Sequence, residues 1–279
     1  EALAGQDASP ERVEEIRGQL GLDDSVPVQY VRWVDNLAHG DLGKSFRSGL
    51  EVSRLLEISF PPTLELAIAA YLVALLLGIP LGVLAGAKPG SFWDWILSGY
   101  TVVTLGIPHF MSGILLLMVF TVWLHWFPTS GRVAFLSNPL ESIRYLILPS
   151  IALGSSMAAV LARYTRTALA EVMGMDFIRT ARAKGLPPRT VILRHALRNA
   201  LVPVITISAL QVGSLLAGAI VIEQVFTRPG LGRLMVDSIS NRDYMVVQST
   251  LIIFVTIFVF VNLAADIAYG VLDPRVRRR

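Results

Sequence analysis

The run Ala38-His39-Gly40-Asp41-Leu42-Gly43-Lys44-Ser45 is where residue types and spacing come closest to a known piece of chemistry. It fits a relaxed phosphate loop with Ala38 at the first glycine position. A phosphate loop aims backbone N–H groups at phosphate from a turn between a strand and a helix. Residues 28–40 read instead as an amphipathic helix, and no acidic strand-end residue follows to hold magnesium. Gly40 and Gly43 are therefore expected to serve turns. The remaining candidates are sparser. His39, His109, His125 and His195 are too scattered for a metal site, and neither HExxH nor GxSxG occurs. With Cys 0, disulfides, thiol catalysis and cysteine-held metal are excluded. The sequence implies no catalytic residue, no cofactor and no metal.

The elements that must position these residues are apolar. Of 279 residues, 53% are hydrophobic and 16% charged, against about 25% charged in soluble domains. The net charge of +3 is small and the basic residues do not form a groove-lining patch, which argues against a nucleic-acid partner. Crossing the hydrocarbon of a bilayer takes about 20 mainly apolar residues. Five stretches qualify, near residues 64–87, 97–126, 146–170, 201–226 and 247–272. The fold class expected is an all-α polytopic membrane protein embedded in the lipid bilayer.

Sidedness follows the Lys/Arg bias of short loops. Arg163, Arg166, Arg179, Arg182, Lys184, Arg189, Arg194 and Arg198 cluster between the third and fourth spans, and the tail adds Arg275, Arg277, Arg278 and Arg279. Strict alternation puts both, with Lys88, on one side, expected to be cytoplasmic. Three units follow: an extracytoplasmic segment over 1–62, a transmembrane domain over 63–272 with a cytoplasmic loop at about 171–200, and a basic cytoplasmic tail over 273–279. The chain begins at Glu1 rather than methionine, and an outside N-terminus needs something to carry it there. A span before Glu1, making six in the intact protein, is expected. Trp93, Trp95, Tyr100, Trp123 and Trp126 flank the second span as interfacial aromatics.

Within the spans, Gly78, Gly82 and Gly86 recur four apart, spacing that lets another helix approach closely. Pro80 and Pro108 free backbone carbonyls and bend their helices. Hinge and packing readings both fit these five positions. His109, His125, Glu223 and Asp266 are the ionisable residues near membrane depth. No set of mid-membrane carboxylates suggests ion coupling, and a structural role is expected for each.

The loop over 176–201 is far longer than a turn needs. Short helices are expected over 171–179 and 186–195, joined at Gly185, which is free to take positive φ. Pro187 and Pro188 suit a first helical turn. Val191, Leu193, Ala196, Leu197 and Leu201 form the apolar face of the second helix, with Arg189, Arg194 and Arg198 polar. Such a segment either lies on anionic lipid or enters a cleft on a soluble partner.

ARAKGLPPRTVILRHALRNALVPV resembles the cytoplasmic loop of binding-protein-dependent ABC importer permeases, in the peptide-type branch that includes dipeptide, oligopeptide, nickel and glutathione permeases. The family pattern, two alanines after a glutamate and then a glycine, lands on Arg179, Thr180, Ala181 and Gly185; the glutamate and one alanine are absent. LGLDDSVPVQYVRWVDNLAHGDLGKSFRSG, FPPTLELAIAAYLVALLLGIPLGVLAG, FTRPGLGRLMVDSISNRDYMVVQ and LDPRVR are similar to the same family, in its order, with most likeness to the B-type subunit. The resemblance implies a type I importer permease fold and a translocation path shared with a second permease. It implies two cytoplasmic ATPases, an extracytoplasmic binding protein and a di- or oligopeptide substrate. It also implies a coupling loop formed by Thr180, Ala181, Lys184, Gly185, Leu186, Arg189, His195 and Arg198. A nickel or glutathione importer has the same loop; a channel or scaffold would lack ATPase partners, and an intramembrane hydrolase has no nucleophile–base pair here.

Overall fold

The computed structural model describes residues 23–272, together with Glu11, Glu14 and Gly18. The expected tail over 273–279 and most of residues 1–22 lie outside the described residues, as does the side chain of Asp266. The described elements are helices: α1 Val26–Ala38, α2 Val52–Ala87, α3 Phe92–Gly106, α4 His109–Leu116, α5 Pro139–Met173, α6 Asp176–Ala183, α7 Pro188–Leu210, α8 Val212–Val225, α9 Leu231–Ser240 and α10 Tyr244–Leu272. π-helical turns extend α4 over Leu117–Trp123 and lie within α7 over Val191–Ala196.

The central element is α5. Its apolar window is 67% buried, against at most 28% for the other long spans, because α2, α3, α4, α7 and α8 all pack against it. Its start is set locally. Pro139 opens the helix, the Asn138 side chain accepts from the Glu141 N–H, and Glu141 sits in the first turn. α2 runs parallel to α5 along a seam of small residues. An added Cβ at Gly78 would lie 2.8 Å from the Ala158 carbonyl oxygen, at Gly82 2.5 Å from that of Ala162, and at Gly86 2.7 Å from that of Arg166. Gly154 of α5 abuts the Ala70 carbonyl in return. Each glycine of the ladder is a point of backbone-to-backbone approach. Pro80 lies inside a helix that stays continuous from Val52 to Ala87.

The second apolar stretch is two helices, α3 and α4, bent by 104° around Ile107 and Pro108. Its two ends nevertheless lie at opposite ends of α5. Asp94, near the start of α3, pairs with Arg166, whereas the Trp126 carbonyl, beyond α4, accepts from Arg144. Arg144 and Arg166 are about six turns apart, roughly 33 Å of helix and about the thickness of the hydrocarbon. The bent pair is therefore one broken crossing. α2, α3–α4, α5, α7–α8 and α10 make five crossings. One side carries residues 23–51, residues 124–138 and α9, called here the Glu65 side; the other carries residues 88–91 and α6, the Gly185 side.

Several boundaries differ from those read off the sequence. α2 starts at Val52 rather than near 64, and α5 runs from Pro139 to Met173, because helices continue past the apolar stretch into polar surroundings. The stretch over 201–226 breaks at Gln211, and its first half is continuous with the loop from Pro188. The short helix expected over 171–179 is displaced: α5 absorbs residues through Met173, Gly174 ends it, and α6 takes Asp176–Ala183.

Candidate functional site

On the Gly185 side, α6 lies across the ends of α5 and α7. Ile178 and Ala181 turn inward and join Leu169, Val172, Val191, Ala196 and Ala200 in one apolar cluster, with Leu186 and Ile192 packed at its edge. The opposite face of α6, with Arg179, Thr180 and Arg182, is exposed, as are Lys184 and Gly185 beyond its end. The Thr180 hydroxyl donates to the Asp176 carbonyl at 3.0 Å.

The elbow has a specific geometry. Gly185 N–H donates to the Arg182 carbonyl at 2.9 Å and Leu186 N–H to that of Ala181 at 3.4 Å, with Gly185 at φ +75°. This is the paired bond pattern that closes a helix through a left-handed residue, which glycine adopts without a Cβ penalty. A Cβ on Gly185 would meet nothing within 4 Å of this chain. The backbone turn alone explains a glycine here; any crowding at this position must come from another molecule.

Of the second loop segment, Arg189 and Arg198 are exposed and His195 is half-buried. Val191 and Ala196 face the cluster as the apolar pattern implied, but Leu193 points outward, 60% exposed. The π turn over Val191–Ala196 accommodates an extra residue and rotates the face that an α-helical wheel assigns. An ion pair braces this side: the Arg166 guanidinium holds the Asp94 carboxylate with two nitrogens, and the Gly90 N–H donates to the same carboxylate at 2.9 Å. It ties the α2–α3 turn to α5.

The Glu65 side carries a charged collar that loop counting missed. Glu65 accepts two bonds from Arg132, at 3.0 and 2.7 Å, and one from Arg228 at 2.8 Å. Arg228 is 1% exposed and its Nε also reaches the Pro62 carbonyl at 3.3 Å. Burial pulls its pKa below the ordinary guanidinium value while the Glu65 charge opposes that shift; a guanidinium stays charged regardless. Beside it, the fully buried Glu223 accepts from the Thr63 hydroxyl at 2.5 Å and from the Arg233 N–H, at the start of α9, at 3.1 Å. Thr63 in turn accepts from the Leu231 N–H at 2.8 Å. Glu223 thus has the structural role expected of it, capping α9 and pinning it to α2 and α8. Gly230 lies directly against its carboxylate, leaving no room for a side chain.

His109 sits at the α3–α4 bend, half-buried, with Nδ1 3.5 Å from the Ser156 hydroxyl. On the same crossing the Tyr100 hydroxyl donates to the Ser155 carbonyl, and on a neighbouring span the Tyr71 hydroxyl donates to Ser208. Among the described residues no group of three or more His, Cys, Asp or Glu converges as metal ligands would.

A five-crossing helical bundle, with an exposed elbow on one side and a charged collar on the other, defines a polytopic membrane protein. The family comparison agrees. Residues 78–278 match the binding-protein-dependent transport system inner membrane component, and residues 1–67 match the N-terminal component of the same transport systems. The chain belongs to this family and is a multi-pass inner-membrane protein. It is 42% identical over 294 residues to the dipeptide transport system permease protein DppB of Escherichia coli strain K12, covering 97% of this chain and 87% of that one. It is 44% identical over 275 residues to a putative peptide transport system permease protein of Brucella abortus strain 2308, covering 99% and 88%. A di/tripeptide transport system permease protein of Pseudomonas aeruginosa is 42% identical over 290 residues, covering 97% and 86%. Among solved structures, the inward-facing MetNI methionine ABC transporter superposes with a TM-score of 0.64 at 19% identity, over 78% of this chain and 96% of that one. At that identity the likeness concerns the fold.

Proposed function

We propose that this chain is the non-catalytic permease subunit of an ATP-driven peptide importer. It forms the translocation path with a second permease, is powered by two ATPases at the Gly185 side, and is fed by a binding protein at the Glu65 side. In this reading the Gly185 side and the C-terminus face the cytoplasm, in line with the Lys/Arg bias of the loops. The observation that carries it is the seating of α6. Its buried face, Ile178 and Ala181, is packed on the ends of α5 and α7, while Thr180, Lys184 and Gly185 stay exposed. A push on the exposed face therefore reaches two spans through one apolar contact. Thr180, Lys184, Gly185, Arg189 and Arg198 meet the ATPase; Ala181, Leu186 and His195 pass the movement on. Gly78, Gly82 and Gly86 hold α2 and α5 as one body, and the break at Pro108 is the place where the second span gives.

Transport needs only two conformations whose balance shifts by differential binding, and partners that bind the elbow more tightly in one of them supply that shift. The peptide substrate rests on the substrates named for the relatives. Affinity purification of the intact permease from native membranes tests the assignment. Two ATPase subunits and a second permease are expected with it, and ATP-dependent peptide uptake in vesicles that hold all of them with the binding protein. Peptide uptake by this chain alone would refute it.

A further inference from the structure

The last residue of the run that resembles a phosphate loop, Ser45, and the two residues after it hold an anion, and the anion is the chain's own. Residues 43–52 form a tight loop closed by the Lys44–Glu51 bridge, with Val52 N–H bonded to the Gly43 carbonyl at 3.0 Å and Ser45 N–H to that of Leu50 at 2.8 Å. Gly43 and Gly49 take φ of +76° and +69°, which lets the loop fold over so short a span. The Asp243 carboxylate enters this loop. Ser45 Oγ donates to it at 2.5 Å, Phe46 N–H at 3.3 Å and Arg47 N–H at 3.4 Å, while Ser45 Oγ accepts from Ser48 N–H at 3.1 Å. Successive N–H groups converging on an oxyanion make the concavity that phosphate loops also use.

Asp243 lies between α9 and α10, is 3% exposed, and Ser45 is 4% exposed. Among the described residues no lysine or arginine nitrogen pairs with Asp243; its charge rests on the hydroxyl and the two N–H groups. A carboxylate removed from water without a cation depends on those bonds. The other anchorage of this region is apolar and modest: Leu42 and Met245 flank the cluster of Val52, Leu56, Leu231 and Val246. α1 contributes no buried residue at all.

We propose that Asp243 is a positioning residue for delivery. Its carboxylate seats the segment over 23–51 against the starts of α2 and α10, and that seat sets how the binding protein engages the permease. The proposal rests on the importer reading above for its second half only; the seat itself is a property of this chain.

The test uses the assembled complex in lipid vesicles with Asp243→Ala, and Ser45→Ala as the milder variant. Hydrogen exchange at the Phe46 and Arg47 amides reads the seat directly. It should quicken by about tenfold or more in Asp243→Ala, as expected when a hydrogen bond to a charged group is lost. Formate, a free carboxylate small enough to enter the vacated concavity, should slow it again, whereas an equal concentration of chloride should not. Binding-protein-stimulated ATP hydrolysis reads the function. Its half-saturating binding-protein concentration should rise about tenfold while the basal and maximal rates stay near those of the unaltered complex, the split expected of lost positioning. Unchanged exchange in both variants overturns the seat. Quickened exchange with an unchanged half-saturating concentration overturns its role in delivery. If Asp243→Ala fails to assemble, Ser45→Ala decides by the same two readouts. Failure of the unaltered complex to respond to any binding protein would instead refute the importer reading, leaving the exchange result to judge the seat alone.

Discussion

Replacing Glu65 by alanine should be the most damaging single change in the charged collar, and the structure says by how much. Arg228 is 1% exposed, and Glu65 is the carboxylate bonded to its guanidinium, at 2.8 Å. Among the described residues its Nη1 lacks a partner, and the guanidinium's one further hydrogen bond is to the Pro62 carbonyl at 3.3 Å. Stranding a buried charge by removing one partner costs about 3–5 kcal/mol. Glu223 still lends Arg228 some charge compensation, which places the expected loss near 3 kcal/mol. Arg132→Ala removes the other partner of Glu65, but both groups of that pair are about a fifth exposed and Glu65 keeps Arg228, so about 1 kcal/mol is expected. Replacing the Glu65–Arg228 pair together by apolar residues, Glu65→Leu with Arg228→Met, should recover most of the loss, because an apolar pair of similar size is often no worse than a buried ion pair. Reversible unfolding in mixed detergent micelles gives the three values. Equal losses for Glu65→Ala and Arg132→Ala, or no recovery in the double variant, would refute the claim that Arg228 is a buried charge held by Glu65.

The glycine seam gives a paired test. Gly82→Val should destabilise by at least about 1–3 kcal/mol, since even a Cβ would sit 2.5 Å from the Ala162 carbonyl and from Thr165 Cβ. Gly99→Ala, in helix α3 with nothing within 4 Å, should be neutral or slightly stabilising in the same unfolding assay. Gly185→Ala strains a residue at φ +75° by about 1–2 kcal/mol without touching the rest of the chain. Gly185→Asp should leave the complex able to hydrolyse ATP while peptide uptake in vesicles falls, and full uptake at an unchanged ATP cost would remove the elbow from the mechanism. Asp94→Asn frees Arg166, which is 36% exposed, so a loss of about 1 kcal/mol that shrinks at high salt is expected from the same unfolding measurements.

The spans were legible because a long apolar run without charge suits little besides a bilayer crossing, and the break at Pro108 because proline and glycine interrupt a helix for local reasons. Gly185 was legible for the same cause: its positive φ is a property of three or four neighbouring residues. What stayed hidden depends on partners distant in sequence. Glu65 meets Arg132 and Arg228 across 67 and 163 residues, and Ser45 meets Asp243 across 198, separations at which one chain offers no periodic signal. Gly78, Gly82 and Gly86 announced a close approach but not that α5 makes it. Leu193 was assigned inward by an α-helical wheel, and the π turn over Val191–Ala196 undid that assignment. The loop around Ser45 drew attention through the residue types over 38–45, whereas the N–H groups that hold the carboxylate belong to Phe46 and Arg47, just beyond that pattern. Its surroundings, a helix before it and none of the acidic residues a magnesium ion needs, were enough to exclude ATP but not to name Asp243.

The importer mechanism depends most directly on where the elbow faces and what it touches. Cys 0 among these 279 residues means that Lys184→Cys adds a thiol beside Gly185 where this sequence has none. In sealed right-side-out vesicles carrying the whole complex, that thiol should be shielded from a membrane-impermeant maleimide. After lysis a short thiol-to-amine linker should join it to an ATPase subunit, and ATP should change the yield. Labelling from outside the sealed vesicles, or a complex that transports peptide while position 184 joins no ATPase under any nucleotide condition, would contradict it.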